Sequence, residues 1–179
     1  YKIIETSHDS GFAEEVDKRK IYLPDAFAFI SDFHPKMYSN LCNEYDIPYE
    51  VVEFPIIKKE RPDRNKTLEE LELDPSYKHV LNVGLWTSRK NQAEVIEYAK
   101  ELKDQKIIFH FVGNQAENFK WYWEPLMEDL PDNCVVWGER NDVDKFYSCM
   151  DLFLFTSRGT KEDKETNPLV LKEAIGWDI

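Results

Sequence analysis

Several familiar chemistries are missing from this chain, and each gap excludes a class of function. Its six glycines form neither GxGxxG nor GxxxxGK[ST], so it has no dinucleotide fingerprint and no P-loop. Its three cysteines, Cys42, Cys134 and Cys149, are scattered, odd in number and without CxxC spacing. They exclude a disulfide framework and read as reduced thiols in an intracellular, cytoplasmic protein, with Cys149 in the core. His34, His79 and His110 share no metal-ligand spacing with each other or with the cysteines. Basic residues are outnumbered, 23 against 35 acidic, for a net charge of −12. A chain this acidic is a poor partner for nucleic acid. No apolar run approaches the roughly 20 residues of a membrane span, and no signal peptide is visible. Membrane contact is left only as a peripheral one.

What is present suffices for one good core or two modest ones: 42% of residues are hydrophobic and 14% aromatic. Tyr1 opens directly on a strand pattern and Ile179 stops just after a helix, so the ends read as the interior of a longer protein.

The order of elements follows from apolar rhythm. Residues 1–57 read as strand, helix, strand, helix, strand, with strands at 2–6, 26–31 and 49–54 and a helix over Pro35 to Tyr45. Residues 58–66 are charged, contain a proline and have no apolar period, which is linker composition. Thr67-x-x-Glu70 predicts a capping box for a short helix that Asp74-Pro75 ends. From His79 the pattern is regular, with near-continuous apolar strands at 79–83, 107–112, 134–137 and 152–155 and helical stretches between them. In the first of these stretches Ala93, Ile96, Ala99 and Leu102 fall on one face. This predicts a parallel sheet covered on both sides, with ligands beyond the carboxyl ends of its strands.

The most informative stretch is Glu165-Thr-Asn-Pro168-Leu-Val-Leu-Lys-Glu173, two carboxylates with seven residues between them. Asn167 suits an N-cap and Pro168 the first helical position. Glu165 then lies on the loop and Glu173 inside the helix, roughly 8 Å along its axis. Between them the free N–H groups and dipole of the helix attract an anion. An anion flanked by two hydroxyl-accepting carboxylates describes a nucleotide-sugar diphosphate: sugar, pyrophosphate and ribose.

The stretch resembles the Glu-x7-Glu motif of retaining glycosyltransferases of the GT-B fold, most closely family 4. The resemblance implies two Rossmann-like parallel-sheet domains. Residues 1–57 would close the acceptor-side domain, 58–78 would be a linker with a short helix, and 79–179 most of the donor domain. It implies transfer of a hexosyl unit from a donor such as UDP- or GDP-hexose to a glycan, lipid or protein hydroxyl, with retention. Glu165 would contact the donor sugar and Glu173 the ribose hydroxyls, with Asn167, Pro168 and Leu169 at the donor-binding helix start. Family members commonly place Gly-Arg at the first strand end of this domain and a Lys just before the next helix. Here Gly84 and Lys90 match, while the Arg position is Leu85, and Arg89 would act from the other side. His8, after the first strand, resembles a His that faces the donor sugar. Gly138-Glu139-Arg140 stands where the family seats the base, and the loop 158–164 would close over the phosphates. No metal or other cofactor is implied, because Lys, Arg and helix N–H groups take the diphosphate charge.

Trp121-Tyr-Trp123 reads as helix packing with one exposed ring. A nucleotide-sugar epimerase or hydrolase of the same fold, a non-catalytic scaffold, and an unrelated parallel α/β domain are the alternatives.

Overall fold

The computed structural model describes residues 2–7, 23–159 and 165–179. They divide into two parallel α/β units, one formed by stretches 1–55 and 159–169, the other by 56–158 and 170–179.

In the first unit β1 (Ile4–Ser7), β2 (Ala26–Phe29) and β3 (Tyr49–Val51) pair in parallel in that order. Alternation sends Phe27 and Phe29 inward, where they meet Tyr38, Leu41, Cys42 and Ile47. The helix expected over Pro35 to Tyr45 forms as two pieces, α1 (His34–Met37) and α2 (Ser39–Glu44). Tyr38 divides them: its backbone sits at φ −97°, ψ 8°, while its ring is buried 5.2 Å from Phe29. The hydrogen bonds Tyr38 N–H to His34 and Cys42 N–H to Tyr38 run through the break, so it is a kink. The strands expected to reach Ser31 and Phe54 stop earlier, and Ser31 instead bonds the buried His34 ring at 2.9 Å.

The second unit holds β4 (Lys78–Val83), β5 (Ile107–Val112), β6 (Cys134–Gly138) and β7 (Leu152–Phe153) in the order β6-β5-β4-β7, all parallel. Residues 79–82 and 109–112 are buried without interruption, because helices cover both faces. On one face Val80, Phe109 and Phe111 pack against Val95, Ile96 and Ala99 of α4 (Gln92–Glu101). Leu102, expected on that stripe, is instead 37% exposed just past the helix end. On the other face Leu81 and Val112 meet Leu68 of α3 (Arg64–Glu70), Phe146, Tyr147 and Cys149 of α6 (Val143–Cys149), and Ala174 of α7 (Leu169–Gly176). The amphipathic α5 (Lys120–Glu128) leaves Trp121 exposed, while Trp123 donates to the Ala116 carbonyl at 3.0 Å.

Two local expectations change. Asp63, not Thr67, caps α3: its carboxylate accepts from Lys66 N–H at 3.0 Å, so the helix begins inside the charged stretch 58–66. Thr67 lies one turn in and bonds back to the Asp63 carbonyl, and Glu70 pairs with Lys145. The strand expected to reach Phe155 keeps ladder pairing only through Phe153, because the Asn82 amide takes the Leu154 carbonyl at 2.9 Å.

A buried chain of hydrogen bonds crosses the second face. Trp137 donates to His110 Nδ1 (3.1 Å), His110 Nε2 meets His79 Nδ1 (2.9 Å), and His79 Nε2 meets the Asp74 carbonyl (2.9 Å). An indole can only donate, so His110 is protonated at Nε2 and His79 at Nε2, and both rings are neutral. Both histidines are core, His79 1% and His110 0% exposed.

Candidate functional site

At the carboxyl ends of β4, β5 and β6 the ladder ends on three glycines. Gly84 N–H reaches Val112 O at 2.9 Å and Gly113 N–H reaches Gly138 O at 2.8 Å. A Cβ on Gly113 would stand 2.0 Å from the Gly84 carbonyl oxygen, so these turns pack backbone on backbone. Gly138 turns with φ 67°, in the left-handed region, and releases Glu139 and Arg140.

The loop from Gly84 to α4 is held from inside. The Trp86 ring is fully buried against Phe111, and the Trp86 backbone N–H bonds the Asn114 carbonyl at 3.0 Å. The Gln92 amide holds the Leu85 carbonyl at 3.1 Å, leaving the Leu85 side chain exposed at the position where the resemblance expects Arg. Thr87 takes Lys90 N–H on its hydroxyl and Asn91 N–H on its carbonyl. Asn91 then adopts φ 57°, ψ 46°, and the helix follows. Its N-terminus is capped from α5, because the Tyr122 hydroxyl accepts Ala93 N–H at 3.1 Å.

This loop brings Gly84 and Lys90 together: the methylenes of Lys90 lie 3.4–3.7 Å from where a Gly84 Cβ would be. Arg89 and Lys90 are both half-buried. The segment leaving β7 runs beside them, since Thr156 Oγ1 donates to the Lys90 carbonyl at 3.0 Å and Arg158 N–H to the Arg89 carbonyl at 2.8 Å. Arg158 also grips Glu94 with two bonds of 2.9 and 2.7 Å. The guanidinium, and after it Tyr98, hold the Glu94 carboxyl at about 2.

On α7, Glu173 is exposed at the surface, and beneath it the buried Tyr147 hydroxyl donates to the Val170 carbonyl at 3.3 Å. Burial first, then the Glu173 carboxylate, push the Tyr147 phenol well above its ordinary range. The helix begins at Leu169, so Pro168 stands at the cap and Asn167 one residue outside. Asn167 donates its amide to the Ile30 carbonyl at 2.7 Å, within the first unit, where Glu165 is also grouped. Gly84, Arg89, Lys90, Gly138 and Glu173 share the second unit. His8 and residues 160–164 of the loop lie outside the described residues.

Arg140 is fixed by Asp142 through two 2.8 Å bonds and stacks on Trp137 and Phe146. Asp142-Val143-Asp144 has Asp-x-Asp spacing, against the expectation that the chain holds no such motif, but its two carboxylates serve different partners. Asp142 serves Arg140, while Asp144 takes Lys59 at 2.7 Å and the Trp177 indole at 3.2 Å. Among the described residues no three His, Cys, Asp or Glu side chains gather as a metal site would. No helix among them is long and apolar enough to cross a membrane. The Glu94–Arg158 pair joins residues 64 positions apart, with no local sequence pattern between them.

Residues 63–176 match the family of glycosyl transferases group 1, and the chain belongs to that family. No curated protein sequence matches it. Its fold is similar to that of Anabaena HepE in complex with UDP, with a TM-score of 0.77 at 16% identity, covering 98% of this chain and 51% of that one. A glycosyltransferase from Rickettsia africae ESF-5 gives a TM-score of 0.71 at 17% identity, over 97% of this chain and 49% of that one. WaaG, a glycosyltransferase involved in lipopolysaccharide biosynthesis, gives 0.68 at 18%, over 97% and 54%. At these identities the likeness is one of fold, and it is the GT-B-like parallel-sheet α/β fold expected from the sequence. The chain spans about half the length of these structures.

Proposed function

We propose that this chain forms the donor side of a retaining glycosyltransferase of the family 4 type, moving a hexosyl unit from a nucleoside diphosphate to an acceptor hydroxyl. Residues 79–179 would hold the donor and 1–57 would border the acceptor, joined through 58–78. The observation that carries this reading is Lys90 folded over Gly84 at the carboxyl end of β4, where open parallel sheets receive their ligands. Lys90, with Arg89, neutralises the departing diphosphate. Glu173 accepts the ribose hydroxyls, and Glu165 with His8 positions the sugar. Gly138 opens the loop beside the base, and the helix start at Asn167, Pro168 and Leu169 faces the phosphates. The charge is met by side chains and N–H groups, so the step needs no metal ion. HepE, similar in fold, was solved with UDP and also with UDP-glucose, which supports a nucleotide-sugar donor.

Leu85 favours a second reading, a scaffold that kept the fold and lost catalysis, because an apolar residue replaces a cation the resemblance expects. Calorimetric titration of UDP, GDP and ADP without metal, beside Glu173→Ala, separates the two. The transferase reading expects selective binding of one nucleotide, weakened about tenfold or more by the loss of a charged hydrogen bond. A folded protein that binds none of them supports the scaffold.

A further inference from the structure

Glu94 sits in the first turn of α4, where a carboxylate favours the helix dipole, yet its hydrogen bonds far exceed what that role needs. Asn91 donates to its Oε2 at 2.6 Å, Tyr98 to its Oε1 at 2.7 Å, and Arg158 to both oxygens. A carboxylate accepts about four hydrogen bonds, so Glu94 is filled and has no lone pair left for a ligand. Arg158 comes from the segment leaving β7, and its own backbone N–H holds the Arg89 carbonyl. Two residues earlier Thr156 holds the Lys90 carbonyl. The backbone of the Arg89-Lys90 pair is thus tied to the neighbouring strand's exit by two bonds, and the Glu94–Arg158 grip clamps that exit to α4.

We propose that Glu94 and Arg158 are positioning residues that fix the Lys90 ammonium at the strand ends for a bound diphosphate. The inference rests on the reading of Lys90 as a diphosphate-binding cation. It commits the clamp to a ligand function, and two features distinguish it from a stabilising ion pair. The Arg158 side chain is 71% exposed and that of Glu94 21%, so solvent reaches the guanidinium and screens the pair's contribution to stability. Each partner instead contacts the loop that carries Lys90, Glu94 through Asn91 and Arg158 through Arg89. The cost of breaking the clamp therefore falls on where Lys90 sits, not on the folded state.

The test is a double-mutant cycle on the 179-residue chain, with UDP, GDP and ADP as calorimetric probes and thermal unfolding as the control. Glu94→Gln keeps the shape and removes the charge, while Arg158→Gln removes the charge and shortens the side chain. Each is expected to leave Tm within about 2 °C and to weaken the bound nucleoside diphosphate about fivefold. In a Lys90→Ala background neither is expected to weaken it further, because the cation they position is gone. Equal losses in both backgrounds would overturn the proposal and leave the diphosphate reading standing. So would unchanged affinity in Glu94→Gln and Arg158→Gln while Lys90→Ala loses affinity. If Lys90→Ala binds as the wild type does, the diphosphate reading and the proposal fall together. A Tm loss that tracks the affinity loss across both variants would make the clamp structural and would also overturn it.

Discussion

Gly113 stands so close to Gly84 that a single added methyl on it would fall 2.0 Å from the Gly84 carbonyl oxygen. The same methyl on Gly84 would meet only the flexible stem of Lys90, at 3.4 Å. Two glycines at the same end of the same sheet therefore have different jobs. Gly113 lets two strand-end turns pack, and Gly84 leaves room for a cation to fold back.

The first prediction separates them. Gly113→Ala must push backbone against backbone and is expected to cost about 3 kcal/mol, as overpacking does. Gly84→Ala makes an ordinary contact that Lys90 can yield to, so its cost is only the strain of a side chain at φ 158° and should be smaller than that of Gly113→Ala, which adds the backbone clash to a similar φ of 153°. The effect of Gly84→Ala should appear as weaker nucleoside diphosphate binding. If the two variants unfold at the same urea concentration, the packing argument fails.

The buried pair His79 and His110 makes stability depend on pH. Burial holds both rings below the ordinary histidine value, His110 at about 3 with the neighbouring His79 adding to the effect. Each is therefore neutral when folded, whereas the unfolded chain takes up protons as pH falls through about 6.5. Stability is full above that value and is lost below it. For His110 alone the loss by pH 5 is about 2 kcal/mol. Urea unfolding at pH 7 and pH 5 measures it, and imidazole NMR shifts provide the check. A His110 ring that titrates near 6.5 in the folded protein would refute the neutral chain from Trp137 to Asp74.

Much of the second unit was legible because near-continuous apolar runs of strand length, separated by helical patterns, leave few folds open. The 107–112 strand is found at the bounds read from the sequence. Local signals misled where tertiary contacts overrode them. Thr67-x-x-Glu70 has capping-box spacing, but burial of Leu68 and Leu71 starts the helix a turn earlier, at Asp63. Strand 152–155 is apolar throughout, yet the Asn82 side chain takes over its later pairing. At the site, Gly84 and Lys90 were singled out by the family resemblance alone. Glu94, Arg158, Tyr122 and Tyr147 could not be, since each acts across a fold contact that no window of sequence contains.

Tyr122 provides a third prediction. Its hydroxyl is the acceptor for Ala93 N–H at the start of α4, a service usually given by a residue just ahead of the helix. Asn91, the residue in that place, is turned to Glu94 instead. Tyr122→Phe keeps the ring packing and removes only the cap, so it should cost about 1 kcal/mol in urea unfolding. A neutral result would mean that solvent caps the helix equally well.

Tyr147 carries the last prediction, at the helix that bears Glu173. Its hydroxyl sits between the Val170 carbonyl, 3.3 Å away, and the Glu173 carboxylate, which helps to push its phenol upward. The phenol donates its proton to the Val170 carbonyl and so braces the turn of α7 that leads to Glu173. Tyr147→Phe keeps the packing against Phe153 but loosens the turn of α7 that carries Glu173. The lost hydrogen bond should lower stability by about 1 kcal/mol. Nucleoside diphosphate binding should weaken about threefold to fivefold, less than in Glu173→Ala, because the carboxylate remains but its turn is no longer braced. In a Glu173→Ala background the same change should alter stability alone. If it weakens binding there as well, Tyr147 acts through the position of α7 and not through the carboxylate.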